Sequence, residues 1–592
     1  MIRYTVTPAD PAAHLFAVAL RVPRPDPDGQ AFRLPAWIRG SYLVRDFAKH
    51  VIEVRAESAG RPVAFERVDK NTLRCAPCAG ALTLEYTVYA YDESVRKAYL
   101  DNRRGFFNGS SLYYAAVGCD GPIEVELRRA EGPGVTGWRA YTAMRPQQVD
   151  ADGFGIYRCE DYEEALDHPV ELGDHARVDF NVDGIPHAYV FAGRCDLDRE
   201  RLAHDTQRIC HAQRELFGQE PKLDRYLFLT RIVASGYGGL EHRASTALMC
   251  SRNDLPRPGV AMLAREYRAF LGLVSHEYFH LWNVKRITPD RFAASNLAAE
   301  AYTSDLWHYE GVTSYYDDLM LLRAGIIDAS AYLDLIAETA TRLSRTPGRR
   351  VQSLADASFD AWTKYYQPDE NSSNATVSYY VKGALVALCI DLFLRRHGGT
   401  TLDEVMRELW RRYGRAGAGV PERGLERIAA ELSQRPLAAE LDRWIRSTEE
   451  LPLAELLAEF GIDARPRAAL GDADPGGRVS GKPQGATLGL KLKGGDTTVA
   501  SVLAGGAAQR AGVSGGDVLV ALDGLRVGNA QWPLRLAALK PGQSCELQYF
   551  RGDELLRATL TADPLPLDAW TVTLADAPGA EALARRKAWL GA

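Results

Sequence analysis

Two histidines four residues apart, His276 and His280, with Glu277 beside the first, constrain this chain more than any other feature. On a helix, residues i and i+4 point the same way one turn apart, so both imidazoles can grip one ion. Glu277 is then placed to take a proton from water polarised by that ion, as in zinc enzymes with the HExxH pattern. Leu263, Tyr267, Phe270, Leu271, Val274, Tyr278 and Leu281 recur at helical spacing and form one apolar stripe. The histidines lie roughly 150° from the centre of that stripe. Such a helix buries one face in a core and turns the other to the metal. A plain core helix with two satisfied histidines is the alternative, and it leaves Glu277 without a purpose.

The length of 592 residues implies several domains. Apolar content of 46% and charged content of 25% are ordinary for a soluble globular protein. A net charge of -6 gives no sign of nucleic acid or a membrane surface as partner. The 9 cysteines are odd in number and scattered, which is no disulfide framework, and the lone Cys75-Ala76-Pro77-Cys78 pair reads as incidental. The N-terminus has no basic run, and the apolar stretch 15–22 is broken by Arg21 and closed by Pro23. No stretch reaches about 18 uninterrupted apolar residues. The expectation is a cytoplasmic protein with no membrane segment.

Residues 1–170 alternate short apolar segments with turn signals, at 15–22, 51–56, 82–90 and 123–127, and predict a sandwich-like β domain. Two loops are rich in aromatic and polar side chains, 35–47 with Trp37, Tyr42 and Phe47, and 105–111 with Phe106 and Phe107. They either reach a neighbouring active site or bury aromatics at an interface. In 171–462 the pattern changes. Strands are predicted at 178–182, 189–191, 226–233 and 246–249, and Asp196 is placed to cap a helix running to Phe217. Gly238-Gly239-Leu240-Glu241-His242 puts glycines before an edge strand, where a bound peptide can approach the backbone closely. After Gly259 the chain reads as helical to about Phe460, with segments at 305–323, 329–344 and 377–396. Residues 463–485 read as a linker, 486–565 as a small domain, and 566–592 as a tail ending in a short helix.

Catalytic zinc takes three protein ligands and keeps one position open. No histidine sits at the metzincin spacing after His280, so the candidates are carboxylates, Glu300 and Glu310. Glu310 is preferred, because Trp307-His308-Tyr309-Glu310-Gly311 opens an apolar helix that can lie beside the first; His308 reads as a supporting or structural residue. One zinc ion per chain is expected.

Taken in order, the stretch from His276 to Arg286, the run Trp307–Tyr316 around Glu310-Gly311, Gly238-Gly239-Leu240-Glu241-His242, Tyr380-Val381-Lys382-Gly383 and the two aromatic loops resemble the glycyl aminopeptidase family. These are gluzincin zinc metallopeptidases with a C-terminal PDZ module. The resemblance implies a multidomain α+β protein: an N-terminal β-sandwich-like domain, a thermolysin-like catalytic domain with a β lobe then a helical lobe, and a PDZ domain. It implies a zinc aminopeptidase acting on peptides with a free N-terminus, glycine and alanine favoured. It further implies that Glu277 is the general base and that Tyr380, rather than its neighbour Tyr379, donates a hydroxyl to the oxyanion. Glu241 would bind the substrate's α-amino group and the Gly238-Gly239 backbone would pair with the peptide. His242 stands where an asparagine is usual in the wider clan. The run 505–524 resembles a bacterial-type PDZ domain, whose groove would hold a peptide or protein C-terminus by amides at Leu488, Gly489 and Leu490, or would only pack on the enzyme. An endopeptidase and a catalytically silent PDZ scaffold are the alternative readings.

Overall fold

The computed structural model describes residues 1–218, 221–397, 399–471 and 473–591. The chain forms two compact units, Met1–Tyr302 with Leu409–Pro421, and Thr303–Glu408 with Glu422–Ala592.

The first unit opens with an eight-stranded sheet. Strand Ile2–Asp10 buries Ile2, Tyr4 and Val6 at every second position, the period of a strand with one face on a core. It runs parallel to Ile123–Leu127 and antiparallel to Leu15–Val22, with Tyr4 opposite Leu20 and Val6 opposite Val18. Two four-stranded sheets complete this β-rich region. Both aromatic loops are buried at their bulky positions. Arg104–Phe107 is a strand buried at all four residues. In the first loop Trp37 Nε1 donates to the Ala299 carbonyl at 2.8 Å and Tyr42 stacks on Phe292 with ring centres 5.5 Å apart.

A five-stranded mixed sheet follows, in the order Ala176–Val182, Ile185–Ala192, Tyr226–Val233, Ser245–Ser251, Gly238–Glu241. Helix Arg199–Phe217 makes the crossover; its cap is Asp198, whose carboxylate accepts the Arg201 N–H at 3.0 Å, two residues later than the expected Asp196. Helix Arg265–Phe279 lies on the sheet through Tyr278, 4.9 Å from Tyr226 between ring centres. Gln213 ties the two helices together by donating to the Ser275 carbonyl at 2.8 Å. The helix carrying His276 is more deeply covered than one apolar stripe predicts: Ser275 and Glu277 are buried along with the stripe.

The second unit is helical up to residue 458. A π-helical turn, Trp307–Gly311, leads into helix Val312–Arg323. Ala329–Ser344 starts at Asp328, which accepts the Ala331 N–H at 2.8 Å. Tyr379–His397 packs backbone to backbone on the π turn: a Cβ on Gly311 would stand 2.5 Å from Gly383 Cα and 2.9 Å from the Tyr379 carbonyl oxygen. No flexible side-chain end is available there to move aside. Gly311→Ala is therefore expected to cost about 3 kcal/mol, the upper part of the overpacking range, seen as a lowered melting temperature in a thermal shift assay. The segment Ser372–His397 is long and apolar enough to cross a membrane, yet 78% of its most apolar window is buried inside the protein.

The expected linker needs correction at its start. Ile462–Arg467 is a strand paired antiparallel with Ala569–Leu574, so the expected tail also begins with structure. Its partner lies about a hundred residues on, which composition cannot reveal. Arg467 then clamps Asp474 with bonds of 2.6 and 3.0 Å; Asp472 lies outside the described residues. Between these strands, Leu488, Val499, Leu519, Trp532 and Leu547 share a small core of their own beneath a four-stranded sheet.

Candidate active site

His276 and Glu277 occupy the last turn of Arg265–Phe279, and His280 is the residue that ends it. The His280 Nδ1 lies 2.9 Å from the Asn283 carbonyl. A carbonyl only accepts, so Nδ1 carries the proton and the Nε2 lone pair is left for a metal. Glu277 is buried against the Gly238–Glu241 strand. A Cβ on Gly239 would fall 2.0 Å from Glu277 Oε1, so only glycine allows the carboxylate to sit there. That strand is the edge of its sheet and pairs with Ser245–Ser251 alone among the described residues.

Glu241 ends the edge strand and is 3% exposed. The first aromatic loop comes close to it: a Cβ on Gly40, at φ +90°, would fall 2.3 Å from Glu241 Oε1. The loop thus covers the carboxylate and needs its glycine to do so. Sequence reasoning missed Arg96. Its Nη2 donates to the Gly239 carbonyl at 3.1 Å, across 143 residues of chain, and nothing in its loop marks it. His242 turns away to Asp167, with Nδ1 3.1 Å from Oδ1, and Lys285 Nζ approaches the same oxygen at 2.7 Å. Burial would raise the Asp167 carboxyl, but Lys285, His242 and Arg243 together hold it well below the usual carboxylate range. Burial likewise pulls the His242 imidazole below its ordinary value, against the pull of Asp167. His242 therefore braces the turn after Glu241.

Glu310 lies in the π-helical turn and is 2% exposed. Beside it His308 is buried, and burial pushes its imidazole down to about 3, which suits a neutral packing residue. One ligand atom each from His276, His280 and Glu310 lies within 4.8 Å of the others. Two imidazoles and a carboxylate are the donor set of catalytic zinc, with one coordination position left over. Glu300 is exposed and stands outside this group.

Tyr379 and Tyr380 open the long helix with ring centres 4.7 Å apart. Tyr379 is fully buried, whereas Tyr380 is half-buried and its hydroxyl lies 3.0 Å from that of Tyr366. Lys382, nearly buried, donates to the Ser447 carbonyl at 3.3 Å, and burial pushes its ammonium down to about 8. In the small C-terminal domain Leu488 and Leu490 point into the core. The Gly489 N–H donates to Thr487 Oγ1 at 3.1 Å, while the Leu488 and Gly489 carbonyls accept from Ala508 and Leu503, each at 2.8 Å.

A histidine–histidine–glutamate cluster with a glutamate next to one ligand is the equipment of hydrolases that cut peptide bonds with a metal. Residues 3–174 match the M61 peptidase N-terminal domain and residues 269–386 the M61 glycyl aminopeptidase domain. A crystal structure of an aminopeptidase N family protein from Idiomarina loihiensis is 38% identical, covers 100% of both chains and superposes with a TM-score of 0.94. The chain belongs to the M61 glycyl aminopeptidase family and is a peptidase. An M1 zinc metallopeptidase from Deinococcus radiodurans is 13% identical, with a TM-score of 0.48 and coverage of 76% of this chain and 94% of that one. A mutant of it bound to a Tyr-Ser-Ala substrate gives the same values. Among curated proteins none matches.

Proposed function

We propose that this peptidase is a zinc aminopeptidase that removes single residues from free peptide N-termini, glycine and alanine favoured, with one zinc held by His276, His280 and Glu310. The observation that carries this reading is the buried carboxylate of Glu241 at the end of a glycine edge strand, with the Gly40 loop closed over it. A carboxylate out of water pairs strongly with an ammonium, and the Gly40 loop lies close against this one.

Bound zinc supplies Lewis acidity, which makes water a nucleophile near neutral pH. Glu277 takes the proton from the attacking water and delivers it to the leaving amine. The Gly238-Gly239 backbone pairs with the extended peptide, while Arg96 fixes the Gly239 carbonyl and so holds that strand's register. Tyr380 donates its hydroxyl to the developing oxyanion. The domain at 486–565 is read as a PDZ module. A C-terminal carboxylate held at Leu488, Gly489 and Leu490 would have to displace Thr487 Oγ1 from the Gly489 amide.

The test is release of glycine or alanine from aminoacyl p-nitroanilides by the purified protein. Release is expected to stop with a chelator and return with zinc, and N-acetylated peptides are expected to resist. Cleavage of N-acetylated peptides at the same rate would overturn the amine-anchor role of Glu241 and favour an endopeptidase. Chelator-insensitive inactivity toward all these substrates would favour a scaffold.

A further inference from the structure

Among the described residues the Arg96 side chain makes a single hydrogen bond, from Nη2 to the Gly239 carbonyl. A guanidinium carries five N–H groups, so most of its donors are unspent. Its Nε is buried without a partner. The carboxylates of its own turn are engaged elsewhere: Asp92 takes Lys97 at 2.8 Å and Glu93 takes Arg231 at 2.7 Å.

The turn that carries Arg96 is held by the second aromatic loop. Asn108, fully buried, donates through Nδ2 to the Val95 carbonyl at 2.9 Å and to the Lys97 carbonyl at 3.2 Å. Its backbone N–H also donates to the Lys97 carbonyl, at 3.3 Å. The backbone is thus fixed on both sides of Arg96, which is how a scaffold aims one side chain.

The edge strand shows where that side chain is aimed. His242 donates across the hairpin to the Ser245 carbonyl at 2.9 Å, and Gly239 stands opposite Leu248. Bonded and non-bonded pairs alternate along an antiparallel ladder. Counting back from His242, Leu240 bonds to the partner strand, while Glu241 and Gly239 turn their backbone groups to the open edge. Arg96 fills the Gly239 carbonyl there, so a peptide lying along this edge meets a guanidinium in place of a backbone acceptor. Arg96 Nη1 lies 3.8 Å from where a Cβ on Gly238 would stand. Chain neighbours aside, no other atom of the described residues comes within 4 Å of that point, so there is room for a ligand beside the donor.

We propose that Arg96 contacts the substrate on the leaving side of the scissile bond, donating from Nη1 to the carbonyl oxygen of the residue that follows that bond. The inference rests on the aminopeptidase reading, with the substrate amine at Glu241. From Glu241 the open edge runs back to Gly238, so a peptide starting at Glu241 lies antiparallel to the strand. Gly239 is two residues from Glu241, roughly 7 Å along a strand. Two residues of extended peptide span roughly the same 7 Å, which brings the second carbonyl alongside Gly239. Glu277 lies on the opposite face of the strand, where a Cβ on Gly239 would stand. The strand Gly238–Glu241 would then present the amine anchor, the base and the donor for the leaving residue in the order the peptide needs them. A charge-assisted bond is stronger than a neutral one, so a leaving group with a carbonyl at this position is favoured over one without.

The experiment uses the full zinc-loaded chain and compares kcat/KM for Gly-Ala amide, which has that carbonyl, with glycyl β-naphthylamide, whose leaving group has no oxygen. Arg96→Gln is expected to lower the ratio of the first to the second by about thirtyfold. An arginine that only held the strand would lower both values together and leave the ratio unmoved. Arg96→Lys keeps the charge without the planar fork and is expected to lower the ratio by about fivefold. An unchanged ratio in Arg96→Gln, or in Arg96→Lys should the first fail to fold, would overturn the proposal and leave the aminopeptidase reading intact. Release of glycine from neither substrate by the unaltered protein would instead strike that reading.

Discussion

Glu277→Gln is expected to lower kcat by about 10³-fold while zinc content and folding stay unchanged. The substitution keeps shape and volume, which matters because the side chain lies against the Gly239 backbone with no room to spare. What it removes is the ability to accept a proton. KM should move little, since Glu241, the proposed amine anchor, and the edge strand are untouched. The measurement is steady-state hydrolysis of glycyl p-nitroanilide together with metal analysis and circular dichroism. His280→Ala serves as the contrast: activity and bound zinc are expected to fall together, because the lost group is a proposed metal donor. A Glu277→Gln protein with zinc in place and activity within tenfold of the original would sink the general-base assignment.

The parts of this site that could be read from sequence are those carried by local period and spacing. His276, Glu277 and His280 are set by one turn of helix, and their apolar stripe names the face that meets the sheet. Ala329–Ser344 was legible to the residue because Asp328 supplies a cap and the apolar positions keep helical spacing. Gly238-Gly239 was read as backbone that a bound peptide approaches; what lies against Gly239 in the structure is the Glu277 carboxylate.

Other features depend on contacts far apart in sequence. The π-helical turn at Trp307–Gly311 is one. An inserted residue shifts the facing of Glu310 relative to the helix that follows, and no residue type signals it. Its support, the Gly311–Gly383 contact, joins two glycines that each look unremarkable alone. Arg96 reaches Gly239 from a different domain, and Ile462–Arg467 was mistaken for linker because its pairing partner is Ala569–Leu574. The roles of Glu241 and Tyr380 came from family resemblance. Glu241 is buried with the Gly40 loop against it, which the sequence did not announce.

Tyr380→Phe is expected to reduce kcat by about 10²-fold with KM nearly unchanged, the pattern of a donor that acts chiefly in the transition state. The adjacent Tyr379→Phe is the internal control. Tyr379 is fully buried and its hydroxyl donates to Tyr366 at 3.4 Å, so its loss is expected to lower stability slightly and to leave kcat within about threefold. Tyr366 links the two outcomes, since its hydroxyl also lies 3.0 Å from that of Tyr380. If it positions the Tyr380 hydroxyl, Tyr366→Phe should produce an intermediate loss of kcat, and the double variant Tyr366→Phe/Tyr380→Phe should be no worse than Tyr380→Phe alone. Additive losses would mean that Tyr366 acts by a separate route. Should Tyr379→Phe lose as much activity as Tyr380→Phe, the donor has been assigned to the wrong ring. Binding of a tetrahedral phosphinic peptide sharpens the test, because its oxygen mimics the charge that develops on the substrate carbonyl. Tyr380→Phe should weaken that inhibitor about as much as it lowers kcat/KM, whereas a tyrosine that merely packs would leave inhibitor affinity and turnover uncorrelated.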